Sequence, residues 1–129
     1  MATRKPKIGL LGLMLELYDE VYPALRKDQT RFARELARDL GAFADVSFSK
    51  IVNKRADVEK VVRGFEAEDV DLLVVVFFTY SPSLVSAPAL IRTTLPLLIF
   101  NTQRDFAVPE GSPQDIMSHN HGMHGVQDL

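Results

Sequence analysis

Three imidazoles fall within six residues near the end of the chain, in His119-Asn120-His121-Gly122-Met123-His124. Neutral imidazole is a common ligand for zinc and similar divalent ions. Asp115 and Asp128 flank the run as further donors. The spacing suits a loop leading into a turn better than one face of a helix. The same histidines suit a polar pocket equally well, where they donate and accept hydrogen bonds near neutral pH. A stand-alone metal protein built on His119, His121 and His124 and a hydrogen-bonding pocket wall are both open on spacing alone.

Several other chemistries are excluded. The chain has no cysteine, so thiolate nucleophiles, disulfides and cysteine-based zinc sites are absent. No serine sits in a G-x-S-x-G turn, and no serine nucleophile is evidently paired with a histidine. Gly9 and Gly12 form the only close glycine pair ahead of a helix, with Gly9 inside an apolar run. Neither a dinucleotide fingerprint nor a P-loop is present, so the backbone N–H cradle for phosphate is missing. A response-regulator site fails as well, because Phe77-Phe78-Thr79 stands where an aspartate should end the third main strand.

Fifteen basic and seventeen acidic side chains leave a formal charge of −2. That balance gives no long-range attraction to nucleic acid or to an anionic membrane. Arg26, Lys27, Arg31, Arg34 and Arg38 cluster, but Asp28, Glu35 and Asp39 interleave with them, as on a solvated helix face. Residues 1–15 superficially mimic a secretory signal. Glu16 interrupts the apolar run, which is also far shorter than the ~20 residues of a membrane helix. A buried first strand is the better expectation, and the missing cysteines fit a cytoplasmic protein.

The elements that must position these groups follow from hydrophobic period. Ile8 to Leu13 is an unbroken apolar run, as a strand covered on both faces requires. A loop through Glu16, Leu17, Tyr18 and Asp19 follows. From Pro23 to Leu40 the period changes: Leu25, Phe32, Ala33, Leu36, Ala37 and Leu40 share a helical stripe, with Gly41 as the expected left-handed stop. Val46, Phe48 and Ile51 read as a second strand nearer a sheet edge. Val58, Val61, Val62 and Phe65 read as a second helix. Val70 to Phe78 reads as a central parallel strand. Ser81-Pro82 reads as a helix cap and first-turn proline, with a kink or restart expected near Ala87 because Pro88 lacks an N–H. Leu95 to Phe100 is the last strand, and beyond Asn101 only a short helix around Gln114 to Ser118 is expected.

This alternation predicts a three-layer α/β/α domain, a Rossmann-like or flavodoxin-like doubly wound parallel sheet, incomplete at its C-terminal end. Ligands in such sheets bind beyond the carboxyl ends of the strands. Three polar loops follow apolar strands there: Met14 to Asp19, Thr79 to Ser83 and Asn101 to Asp105. Loops are also polar simply because water satisfies their backbone. The last 29 residues supply no evident element to close a domain. The chain is therefore expected to be a piece of a longer protein.

Three stretches carry a family resemblance: Phe78-Thr79-Tyr80-Ser81-Pro82, Pro96 to Phe100 running into Asn101-Thr102-Gln103, and Met117 to Gly125. In order and spacing they resemble landmarks of L-arabinose isomerases, whose architecture the wider L-fucose isomerase-like superfamily shares. The likeness runs from Lys7 to the end of the chain and is weak across the two early helices. It implies a metal-dependent aldose–ketose isomerase of carbohydrate metabolism, in which manganese or a similar divalent ion polarises sugar oxygens and carboxylates move the proton. It also implies that metal ligands and catalytic groups lie in later domains, so residues 1–129 form an N-terminal domain, inactive alone, with no catalytic residue or metal ligand of its own. Such a domain supplies pocket wall to a neighbouring subunit in a trimer or hexamer.

By the same resemblance, His124 matches a substrate-touching histidine, and Leu17 and Tyr18 match a leucine-tyrosine pair after the first strand. His121 stands where arabinose isomerases carry glutamine, Tyr80 where they carry phenylalanine, and Met14 or Glu16 where a glutamine is expected. These departures leave the sugar open. The expected substrate-binding set is Leu17, Tyr18, Tyr80, His121 and His124. A non-enzymatic flavodoxin-like interaction module is the third reading, and a fragment without covering domains is expected to self-associate through exposed apolar surface.

Overall fold

The computed structural model describes residues 3–129. Five strands form one wholly parallel sheet: β1 (Lys7–Leu13), β2 (Asp45–Ser47), β3 (Ile51–Val52), β4 (Leu72–Phe77) and β5 (Leu97–Ile99). The spatial order is β2-β1-β4-β5, with β3 pairing the end of β1 that β2 leaves free. Successive strands are thus added in opposite directions on the two sides of the β1/β4 boundary, while every strand runs parallel. The helices are α1 (Leu17–Val21), α2 (Pro23–Leu40), α3 (Arg55–Ala67), α4 (Ser83–Arg92), α5 (Gln114–His119) and α6 (Gly122–Asp128).

Strand side chains alternate between two cores. Leu10, Val74, Val76 and Phe78 face α2, whose Ala33, Phe32 and Leu36 pack on them. Leu11, Leu13, Leu73, Val75 and Phe77 face α3 and α4 through Val58, Val62, Phe65, Ala89 and Leu90. Coverage on both faces is what the unbroken apolar runs of β1 and β4 require. The three-layer α/β/α fold is the one expected.

Several local expectations need correction. Residues 17–21 form the short helix α1 where a loop was expected. The second strand is two pieces, because the ladder on β1 lapses over residues 48–50. β4 begins at Leu72, two residues later than its apolar run. Asp71 there accepts the Lys7 N–H at 2.7 Å and the Arg4 guanidinium at 2.9 Å, which pins the sheet's lower end. β5 is three residues long, half the expected run.

Gly41 is right-handed (φ −59°), not left-handed; its need is steric, since a Cβ there would lie 2.9 Å from the Arg38 carbonyl. The left-handed turn after a helix falls instead to Asp69 (φ 53°), just past α3. Ser81 caps nothing: α4 starts at Ser83, and the Ser81 hydroxyl is buried without a partner. The cap comes from far along the chain, the Asp128 carboxylate accepting the Ser83 N–H at 2.7 Å. Nor does α4 restart at Ala87. It runs through Pro88, which leaves the Leu84 carbonyl without its i+4 N–H, and Leu84 itself is exposed. The short helix expected around Gln114 to Ser118 is α5, and the histidine-rich stretch beyond it, expected as a loop, continues into α6.

Candidate functional site

The strand order reverses between β1 and β4, and the carboxyl ends of strands at such a point are the usual ligand position in a doubly wound sheet. β1 delivers Leu15 and α1 there, and β4 delivers Thr79 and Tyr80. The Thr79 hydroxyl joins the two exits: it accepts the Leu15 N–H at 3.0 Å and donates to the Tyr80 carbonyl at 2.8 Å.

The C-terminal segment lies across this end. Gly122 and Gly125 are the reason it sits so close. A Cβ on Gly122 would be 1.9 Å from the Phe77 carbonyl oxygen, and one on Gly125 would be 2.3 Å from the Phe77 ring. Only bare Cα atoms allow α6 to lie on the end of β4. With Val126 in the α3/α4 core and Asp128 on the start of α4, α6 is fixed at three points.

His121, the residue before α6, thereby meets Tyr18 of α1, more than a hundred residues earlier. Tyr18 Oη and His121 Nε2 are 2.9 Å apart. The two rings meet edge-on with centroids 5.8 Å apart, and His124 lies 6.1 Å from His121. Burial, and then the neighbouring His124, hold the His121 imidazolium below its ordinary pKa of 6.5. Burial pushes the Tyr18 phenol above its ordinary 10, while the Ser118 hydroxyl beside it acts the other way. Both groups are therefore neutral at neutral pH. A neutral imidazole has one donor and one acceptor nitrogen. With Nε2 engaged by the phenol, Nδ1 is left the complementary donor or acceptor role.

His119 is not part of this group. Its ring is buried, with Nδ1 2.6 Å from the Asp115 carbonyl, Nε2 3.3 Å from Asp28 Oδ2, and the Tyr22 ring edge-on at 6.1 Å. Both of its nitrogens are engaged, so the three histidines do not converge on one point. Among the described residues no group of three or more histidine, aspartate or glutamate side chains is placed to hold a metal. Manganese does not fit this chain's own side chains, and Asp115 and Asp128, considered as flanking donors, serve α5 and the start of α4 instead.

The expected site residues divide accordingly. Tyr18, His121 and His124 come together. Tyr80 is half-buried at the same end of the sheet, tied there through its backbone, and Leu17 stands exposed beside Tyr18. The loop Asn101 to Asp105 reaches the region through Asn120, whose side chain binds both the N–H and the carboxylate of Asp105.

Other residues had no sequence signal. Gln29 occupies the apolar stripe of α2 fully buried, donating to the His119 carbonyl at 3.1 Å. Arg26 forks onto the Asp19 carboxylate and the Ile51 carbonyl, and Asn53 donates to the same carboxylate at 2.6 Å. Those contacts hold Asp19 below the usual carboxylate range and lock α1, which carries Tyr18, to α2 and β3. The small-residue spacing of Gly122 and Gly125 was visible in the sequence and marks a close approach.

Fold and site together define a three-layer, flavodoxin-like α/β domain with a phenol–imidazole group at the carboxyl end of its sheet. No helix among the described residues is long and apolar enough to cross a membrane. No protein-family model matches the chain, and no curated protein does either.

Proposed function

We propose that the chain is the N-terminal, substrate-lining domain of an aldose–ketose isomerase of the L-arabinose/L-fucose type, with Tyr18, His121 and His124 forming one wall of a sugar pocket. The observation that carries this reading is the 2.9 Å contact of Tyr18 with His121 at the carboxyl end of the sheet. A sugar is a ring of hydroxyls, each both donor and acceptor. Neutral phenol and imidazole groups match that dual character, whereas a charged site would favour an anion. His124, exposed beside the pair, and Tyr80, at the exit of β4, extend the same wall, and Leu17 offers an apolar edge.

What these residues do is bind and orient. The proton transfer of an isomerisation, and the divalent ion that would assist it, are assigned under this proposal to groups outside residues 1–129, and the open side of the wall to a neighbouring subunit of a homo-oligomer. The fixed α1 and α6 supply the rigidity that orientation requires, since a positioning group gains its effect by not having to be ordered on binding.

Titration of the intact chain with aldopentoses and 6-deoxyhexoses, followed by NMR of histidine and tyrosine side chains, tests it. Perturbations are expected at Tyr18, His121 and His124, weakened by Tyr18→Phe and abolished by His121→Ala. Perturbations confined to other residues, or none at saturating sugar, would sink the sugar reading.

A further inference from the structure

We infer that Arg26 and Gln29, three residues apart on α2, are positioning residues for the Tyr18–His121 pair: one holds the helix that carries Tyr18, the other the helix that leads into His121. The inference rests on their contacts in the fold and not on the sugar reading.

Neither partner of the pair belongs to an element that could hold itself in place. α1 is five residues long and buries no side chain. So short a helix is not stable alone, because nucleation fixes several residues for very few hydrogen bonds. Only Tyr22 separates it from α2, and its backbone (φ −147°, ψ 67°) is not helical. α5 is six residues long, and His119 is its one buried residue. Each short helix therefore depends on what grips it from outside.

The grip on both comes from one turn of α2. Arg26 Nη2 donates to Asp19 Oδ2 at 2.9 Å, Nε donates to the other oxygen of that carboxylate, and Nη1 donates to the Ile51 carbonyl at 2.9 Å. A fork of this kind fixes angle as well as distance, which a single ammonium contact does not. Asp19 directly follows Tyr18, so the fork sets where the phenol lies. Three residues on, the Gln29 amide donates to the His119 carbonyl at 3.1 Å. Asp28 Oδ2, 3.3 Å from His119 Nε2, joins the same grip. His121 follows two residues later. α2 is a firm base for both contacts, because Phe32, Ala33 and Leu36 seat it on the sheet.

The chemistry of Gln29 argues for this role. It lies between Leu25 and Ala33 on the apolar stripe of α2, fully buried, where packing alone favours a hydrocarbon side chain. Among the described residues its Oε1 has no partner, and a buried orphan acceptor costs stability. What the amide does accomplish is to hold the backbone just ahead of His121. A residue that breaks the local pattern at the expense of the fold is the mark of a site.

NMR of the intact chain, with the His121 ring followed through a pH titration, tests the assignment. The titratable groups facing that ring are Tyr18 on α1 and His124 on α6. Arg26→Ala frees α1. Gln29→Met keeps the length of the side chain, removes its donor and frees α5. Each should loosen the phenol from the imidazole, admit water to a half-buried ring, and raise the His121 midpoint toward 6.5. Arg26→Lys keeps the charge without the fork and should fall between the parent and Arg26→Ala. Gln29→Met exchanges one orphaned acceptor for another, since the His119 carbonyl loses its donor as Oε1 disappears, so the urea midpoint should shift little. Val62→Ala opens a cavity in the core under α3 and should lower the urea midpoint while leaving His121 unmoved. A His121 midpoint indifferent to Arg26→Ala or to Gln29→Met, or an equal rise in Val62→Ala, would overturn the inference.

Discussion

Leu73 and Leu97 are the same residue, opposite each other on hydrogen-bonded parallel strands, yet Leu73 is fully buried and Leu97 is 42% exposed. The strands around them differ in the same way. β4 has β1 on one side and β5 on the other, with α2 above and α3 and α4 below. Among the described residues β5 has a neighbour on one side only. Both segments are apolar in sequence, so hydropathy marks each as a strand. It does not say how many layers cover it, because coverage depends on what the rest of the chain places overhead.

The sharpest way to break this comparison is to truncate both leucines. Leu73→Ala removes fully buried methyl groups from a packed core and should cost about 2–5 kcal/mol in urea unfolding, whereas Leu97→Ala should cost less than about 1 kcal/mol. Both are measured at low protein concentration. Equal losses there would mean that β5 is covered within a single chain.

The C-terminal ends of the strands offer the next contrast, since α6 is pressed onto β4 alone. Gly122→Ala pushes a methyl group into the Phe77 carbonyl and should cost about 1–3 kcal/mol or more, with faster amide exchange confined to α6. Gly64→Ala, inside α3 with nothing within 4 Å of the added methyl, should change sign and stabilise by about 1 kcal/mol. If the two glycines behaved alike, the close seat of α6 on β4 would be wrong.

Smaller effects attach to the site itself. Tyr18→Phe deletes one hydrogen bond and should cost about 0.5–1.5 kcal/mol, while shifting the His121 ring signals in NMR. Acidification probes the same contact. Burial and then His124 keep the folded pKa of His121 below 6.5, so the unfolded chain binds more protons below that pH. The contribution of His121 to stability is fully present above 6.5 and is lost as pH falls through the folded value. Exchange in α6 should rise with acid before exchange in β4 does. Simultaneous loosening of both would show that His121 is not the group responsible.

Much of the frame was legible. The period of Leu25, Phe32, Ala33 and Leu36 marks α2, that of Val58, Val62 and Phe65 marks α3, and the runs in β1 and β4 mark a parallel sheet. These signals are local, because an element's buried side repeats along its own sequence. Tyr18, His121 and His124 could be marked as candidates by residue type and family likeness. Their contact could not be read, since nothing along the chain states that residues 18 and 121 lie within hydrogen-bond reach. The division of the histidines was equally hidden: His119 turns to Asp28 and leaves the other two, a choice made by where α2 meets α5.

The sequence by itself determined the alternation of strands and helices, their amphipathic faces, the absence of thiol and phosphate-loop chemistry, and a near-neutral charge balance. Tertiary structure alone decided that Asp128 caps α4, that two glycines seat α6 on Phe77, and that β5 lies open at the edge. The physical reason is range. Periodicity and turn chemistry act over a few residues, whereas a cap, a close approach or a covering layer depends on groups brought together from distant parts of the chain.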